Sequence, residues 1–178
     1  MLTTVYVALG SNLGDSKALI TQALQSIKAL TEVSDLASSR LYVTTPVSAI
    51  QQNNYLNAVC RFTTSLSAKE LLIHLQQIEI VLGKTTAIEK NSPRYIDLDI
   101  LLFGTETHHE EGLEIPHPRW SQRLFVLIPL LDLATELQIP DPTSPSQVQH
   151  MNLPSYLQTF KNINHETVSL LNQEVCDV

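Results

Sequence analysis

The sequence is short of cysteine, of basic residues and of long apolar runs, and each shortage excludes something. Two cysteines, Cys60 and Cys176, are too few for a disulfide framework. Cys60 lies in an apolar, strand-like run and reads as a buried thiol, Cys176 reads as a tail thiol, and their separation suits no metal pair. Against 18 Asp+Glu there are only 11 Lys+Arg, a net charge of -7. That balance lacks the electrostatic footprint of a nucleic-acid binder, so no nucleic-acid partner is expected. An anionic small molecule remains compatible if the few basic residues converge on one site. The longest apolar runs, Ile100 to Phe103 and Leu124 to Leu131, fall far short of a membrane span. The opening MLTTVYVALG puts no basic stretch ahead of a long apolar core, so neither a secretory signal nor a membrane partner is expected. The cytoplasm is the expected location.

What is present is ordinary for a globular chain: 178 residues, 43% hydrophobic and 16% charged, enough for one domain. Residues 3–9 alternate as a strand, followed by the glycine-bounded turn GSNLGDS. Leu19, Ile20, Ala23, Leu24, Ile27 and Leu30 recur at helical spacing. A second strand is expected within 36–44 and a third over Tyr55 to Thr64. Ser67 and Glu70 form a capping box ahead of Leu71, Leu75, Ile78 and Leu82, and Gly83 offers the stop. A fourth strand is expected over RYIDLDILLF, then a short hairpin at Gly112 and a partly helical stretch from 121 to 135, bent at Pro129. Pro140, Pro142 and Pro145 are expected to close the compact region at about residue 145, leaving 146–178 as an extension packed on the same domain. This order predicts an α+β fold, a ferredoxin-like split βαβ sheet, mainly antiparallel, with helices on one face.

The residues with most chemical content are Arg94-Tyr95-Ile96-Asp97-Leu98-Asp99-Ile100. On a strand Asp97 and Asp99 point the same way, about 7 Å apart, while Ile96, Leu98, Ile100 and Leu102 take the opposite face. Two neighbouring like charges repel, and magnesium, which prefers carboxylate and phosphate oxygens, reverses the penalty. A solvated edge strand explains the same pair. Gly83-Lys84-Thr85 imitates the end of a phosphate-binding loop, but Ile78 stands where that loop needs glycine and a helix precedes it. The turn Gly10-Ser11-Asn12-Leu13-Gly14 fits either an anion cradle or plain turn chemistry. His117 stands on a stiff loop between Pro116 and Pro118, with Arg119 and Arg123 close behind, which favours a phosphate contact. Tyr55 and Asn57 offer an aromatic face beside an amide, suited to a flat heterocycle, or alternatively a core tyrosine and a strand-end cap.

In series, VYVALGSNLGD, YLNAV, PRYIDLDILLFG and IPHPRWSQRLFVLIPL resemble the 6-hydroxymethyl-7,8-dihydropterin pyrophosphokinases, over roughly residues 5–142. The resemblance implies transfer of the β,γ-diphosphate of ATP to the pterin hydroxymethyl group, with release of AMP, by a monomer. It implies that Asp97 and Asp99 hold two magnesium ions, and that Arg94, His117 and Arg123 contact nucleotide phosphates. Gln76 and Glu79 match nucleotide- and pterin-site surroundings, and Lys84 and Ile100 would bind the nucleotide. Tyr55 and Phe125 would sandwich the pterin, Asn57 would bond its edge, and Gly10, Thr44, Thr45 and Val47 would complete that pocket. The sequence departs from some relatives where two loop arginines are replaced by Lys84 and Thr86, and a basic-aromatic pair by Lys90 and Asn91. Lysine keeps the charge but makes no planar clamp. A catalytically weak pterin- or nucleotide-binding module is the alternative that these departures leave open.

Overall fold

A computed structural model describes residues 1–45, 53–84, 93–141, 144–162 and 165–171. Alternation places Val5, Val7 and Leu9 of β1 (Thr3–Ser11) on one wholly buried face. Helix α1 (Ser16–Lys28) begins where the Asp15 carboxylate accepts the Ala18 N–H at 3.0 Å, and it buries Ile20, Ala23, Leu24 and Ile27. The stretch expected as one strand within 36–44 is two, β2 (Val33–Ser38) and β3 (Tyr42–Thr44). Strand β4 spans Tyr55–Thr64, as the sequence predicts. Helix α2 (Ala68–Val81) carries the expected reciprocal capping box between Ser67 and Glu70. Beyond β5 (Asp97–Phe103), the turn at Gly112 joins β6 (His108–Glu110) to β7 (Leu113–Ile115). Helix α3 (Leu124–Leu131) contains Pro129.

The main sheet runs β10-β3-β4-β1-β5, where β10 is Val168–Leu170, and β2 also pairs with β4; every pairing is antiparallel. Inserting β4 between β1 and the strands that follow α1 is the split βαβ arrangement, so the fold is the expected α+β, ferredoxin-like one.

Three expectations need correction. Helices do not lie on one face only. α1 and α2 cover one side through Leu24, Ile27, Leu71 and Leu75, but α3 packs Val126, Leu127 and Leu130 on Val59, Leu101 and Leu102 of the other. The apolar residues of α3 require a partner, and the second sheet face supplies it. Leu102 does not share a face with Ile100. The β1–β5 register jumps from Val7↔Ile100 to Tyr6↔Leu102, so one extra residue flips the alternation and puts Leu101 and Leu102 together in the second core. Finally, Pro140 does not close the compact region: it is buried within β8 (Glu136–Asp141), which pairs with β9 (Ser144–Asn152). Strand β9 runs through residues 145 and 146, and α4 (Leu153–Thr159) follows, burying Leu153 in the second core.

Candidate active site

The chemistry-bearing side chains collect where the face bearing the second core reaches the β1–α1 end of the sheet. Gly10 pairs with Asn57 on one side and Asp97 on the other, while Ala8 pairs with Val59 and Asp99. Asn57, Asp97 and Asp99 therefore share one face, as the alternation predicts. A Cβ on Gly10 would lie 3.1 Å from the Asn57 amide oxygen, tight enough that the Asn57 side chain would have to give by a few tenths of an ångström. The buried Asn57 amide donates to Thr44 Oγ1 at 2.7 Å, which orients it.

Around Asp97 the charges interlock. Arg94 Nη1 reaches one carboxylate oxygen at 2.5 Å and Lys84 Nζ the other at 3.1 Å. Lys84 Nζ also meets Glu79 Oε2 at 2.7 Å, and Glu79 Oε1 accepts the Leu98 N–H at 2.7 Å. Glu79 is only 4% exposed; burial pushes its carboxyl above the usual range despite Lys84 and the Leu98 N–H. For Lys84, burial works against the charge, but Glu79 and Asp97 outweigh it and its ammonium is held above the ordinary lysine value.

Asn12 fixes Arg94 from behind. Its side-chain oxygen accepts the Arg94 N–H at 2.9 Å and its own N–H donates to the Arg94 carbonyl at 3.1 Å. That amide is thereby used inside the protein and does not cradle an anion. Sequence reading named the turn but missed this role; the signal was a buried amide side chain in a polar turn. The Tyr55 hydroxyl bonds to Arg94 and Asn12, while burial raises its pKa. Arg94 Nε is buried and has no partner among the described residues, a donor left over beside Asp97.

Asp99 is set differently. Its side chain is 42% exposed, and His117 Nε2 stands 4.0 Å away. The surrounding protein and the neighbouring Asp97 charge both raise its pKa. His117 is positioned by its N–H to the Leu101 carbonyl at 3.0 Å, just after a cis Ile115–Pro116 bond. Its Nδ1 accepts the Arg119 N–H at 3.1 Å, which puts the proton of the neutral ring on Nε2, toward Asp99. Burial, with Arg123 and Arg119 nearby, depresses its pKa despite Asp99. The Arg123 guanidinium lies 5.3 Å from the centre of the Phe125 ring, and burial and Arg119 lower its pKa.

Beside Asp99 opens a cleft of about 340 Å3, lined by Leu72 of α2, Leu98 and Ile100 of β5, Glu110, Leu113 and Glu114 of the hairpin, and His117. Gln76 stands exposed on α2, three residues before Glu79, and is not part of this lining. Thr45 faces the chain's end, its hydroxyl 2.9 Å from that of Thr167. Val47, Thr86, Lys90, Asn91 and Cys176 lie outside the described residues.

No cluster of three or more His, Cys, Asp or Glu suited to a metal occurs among the described residues. Two same-face carboxylates fit magnesium, which binds through one or two carboxylates and completes its shell with water and phosphate oxygens. Asp97 and Asp99 are the residues that would hold it.

A sequence model described as 7,8-dihydro-6-hydroxymethylpterin-pyrophosphokinase (HPPK) matches residues 6–135. The 2-amino-4-hydroxy-6-hydroxymethyldihydropteridine pyrophosphokinase of Pseudomonas aeruginosa is 40% identical over 141 residues, covering 79% of this chain and 86% of that protein. The enzyme of the same name from Bacillus subtilis is 41% identical over 138 residues, covering 78% and 82%. The folic acid synthesis protein fol1 of Pneumocystis carinii is 38% identical over 167 residues; the match covers 94% of this chain but only 21% of that longer protein. Among solved structures, a Plasmodium falciparum HPPK-DHPS shares the fold, with a TM-score of 0.64 at 13% identity over 89% of this chain and 45% of that one. The chain thus belongs to the 7,8-dihydro-6-hydroxymethylpterin-pyrophosphokinase family.

Proposed function

We propose that this protein transfers the β,γ-diphosphate of ATP, as one unit, to the hydroxymethyl group of 6-hydroxymethyl-7,8-dihydropterin, as a step of folate biosynthesis. The observation that carries the proposal is the placement of Asp97 and Asp99 on one face, with Arg94 bonded to Asp97 and His117 facing Asp99 across 4.0 Å.

The pterin hydroxyl oxygen bonds to the β-phosphorus, the bond from that phosphorus to the α,β-bridging oxygen breaks, and AMP leaves with both electrons. The hydroxyl proton goes to solvent. Two magnesium ions held by Asp97 and Asp99 would supply charge neutralisation of the polyphosphate and alignment for in-line displacement. The protein's own work is binding and orientation. Arg94, whose Nε is left without a partner among the described residues, turns toward phosphate oxygens. Neutral His117 donates its Nε2 proton to another phosphate oxygen, and Arg123 adds a third cationic contact. The cleft lined by Ile100 and Leu98 takes the nucleotide, and Glu79, Lys84 and Gln76, which stand outside that lining, contribute from the end of α2. Asn57, held by Thr44, reads the pterin edge; Tyr55 and Phe125 flank its ring, and Gly10 and Thr45 complete the wall. Residues 146–178 belong to the same domain, and the protein acts as a cytoplasmic monomer.

The deciding experiment incubates purified protein with magnesium, ATP and the hydroxymethyl dihydropterin and follows products by mass spectrometry. AMP and diphosphorylated pterin should appear in equal amounts, with no AMP when the pterin is left out. ADP in place of AMP, or pterin bound without turnover, would exclude the reaction and leave a binding module.

A further inference from the structure

Helix α3 follows Arg123 directly and carries Phe125, yet Arg123, its N-cap residue, makes no side-chain cap. The first turn is completed from far along the chain: the Glu166 carboxylate, only 7% exposed as a residue, accepts the Leu124 N–H at 2.7 Å. Glu166 is itself held on both sides of its backbone. Asn162 donates its amide N–H to the Glu166 carbonyl and accepts the Glu166 N–H, both at 2.9 Å.

From there the chain reaches the opposite wall of the site. Thr167 meets Thr45 through their hydroxyls at 2.9 Å, and β10 pairs Val168 with Thr44, the residue that holds Asn57. One short segment therefore touches the strand that orients Asn57 and the helix start that presents Arg123 and Phe125. A carboxylate at a helix N-terminus is favoured by the exposed N–H groups there, and its charge also supports the neighbouring guanidinium. Glu166 lies beyond residues 6–135, the span the family model covers.

We propose that Glu166 is a positioning residue of the active site, whose carboxylate, bonded to the Leu124 N–H, sets Arg123 and Phe125 in place for the substrates. The inference rests on the reaction proposed above, and its test includes binding measurements that do not depend on turnover. Glu166→Ala removes both acceptor and charge; Glu166→Gln keeps an acceptor and is the variant used if the alanine form does not fold. Each is compared with the wild type for melting temperature, for kcat and KM, and for calorimetric binding of a non-hydrolysable ATP analogue and of the pterin with magnesium.

Folded Glu166→Ala should lose about tenfold in kcat/KM, the size of one displaced hydrogen-bonded contact, and should bind at least one of the two ligands several-fold more weakly. Glu166→Gln should recover most of that loss. Kinetics and binding within twofold of wild type, with only the melting temperature lowered, would reduce Glu166 to a structural cap. A glutamine variant as impaired as the alanine one would overturn the hydrogen bond as the positioning contact. If the wild type made no AMP, the reaction would fail while the binding comparison still decided the role of Glu166.

Discussion

Two aspartates two residues apart on one strand do different physical work. The Asp97 charge is shared by Arg94 and Lys84, whereas Asp99 faces His117 at 4.0 Å and is 42% exposed. The repulsion expected from sequence is offset at Asp97 by these two cations, while at Asp99 burial and the Asp97 charge raise the pKa. Asp97→Asn should therefore cost about 1–3 kcal/mol, because it leaves the half-buried Arg94 and Lys84 cations poorly compensated. Asp99→Asn should leave stability nearly unchanged or slightly improved. Both should lose turnover by at least about a hundredfold if the side chains bind the metal. Urea unfolding and steady-state rates on the two variants check this, and equal stability losses would contradict the asymmetry.

Glycine and tyrosine contacts hold the elements that carry these charges. Gly83 ends α2 with φ of +102°, and a Cβ there would come within 3.3 Å of the Tyr95 ring. Gly14, at φ +71°, meets the other side of the same residue, so Tyr95 packs between the β1–α1 turn and the end of α2. Lys84 follows Gly83 directly, which links the helix stop to the Asp97 cluster. Gly83→Ala should destabilise the protein by about 1–2 kcal/mol through left-handed strain and the clash with Tyr95. It should also weaken magnesium-dependent ATP binding by displacing Lys84. Denaturant midpoints and calorimetry test the two effects separately; an alanine variant as stable as wild type would mean that the helix end adjusts freely.

For the molecule as a whole, the sheet must be tied to what lies on both of its faces. On the α3 side Asp132 does this at the end of the helix: it accepts from Arg40 Nη2 at 2.6 Å, from the Arg40 N–H at 3.0 Å and from the Tyr42 hydroxyl at 2.9 Å. Burial alone would raise the Asp132 pKa, but the Arg40 hydrogen bonds outweigh it and hold the carboxyl below its ordinary 3.8. A carboxyl with a depressed folded pKa stabilises fully above the unfolded value and loses that contribution as pH falls through the folded one. Stability linked to this clamp should thus be intact at pH 5 and above and fall away below about 3.8. Asp132→Asn should flatten that part of the acid unfolding curve, measured as urea midpoints between about pH 6 and 3. An unchanged acid slope would show that other carboxylates dominate it.

Much was legible in the residues alone because the relevant forces act over a few positions. The period-two alternation in DLD put two carboxylates on one face, the Ser67–Glu70 box placed the start of α2, and Gly112 marked the hairpin. What the chain's linear order left open was settled by contacts between distant segments. The extra residue in β5 reversed the face of Leu102, and α3 covered a sheet side expected to be bare. Asn12 came to grip Arg94, and Glu166 reached back across 42 positions to Leu124. Local periodicity determines which way a side chain points, but which partner it meets depends on how sheets and helices pack, and only the tertiary structure decides that.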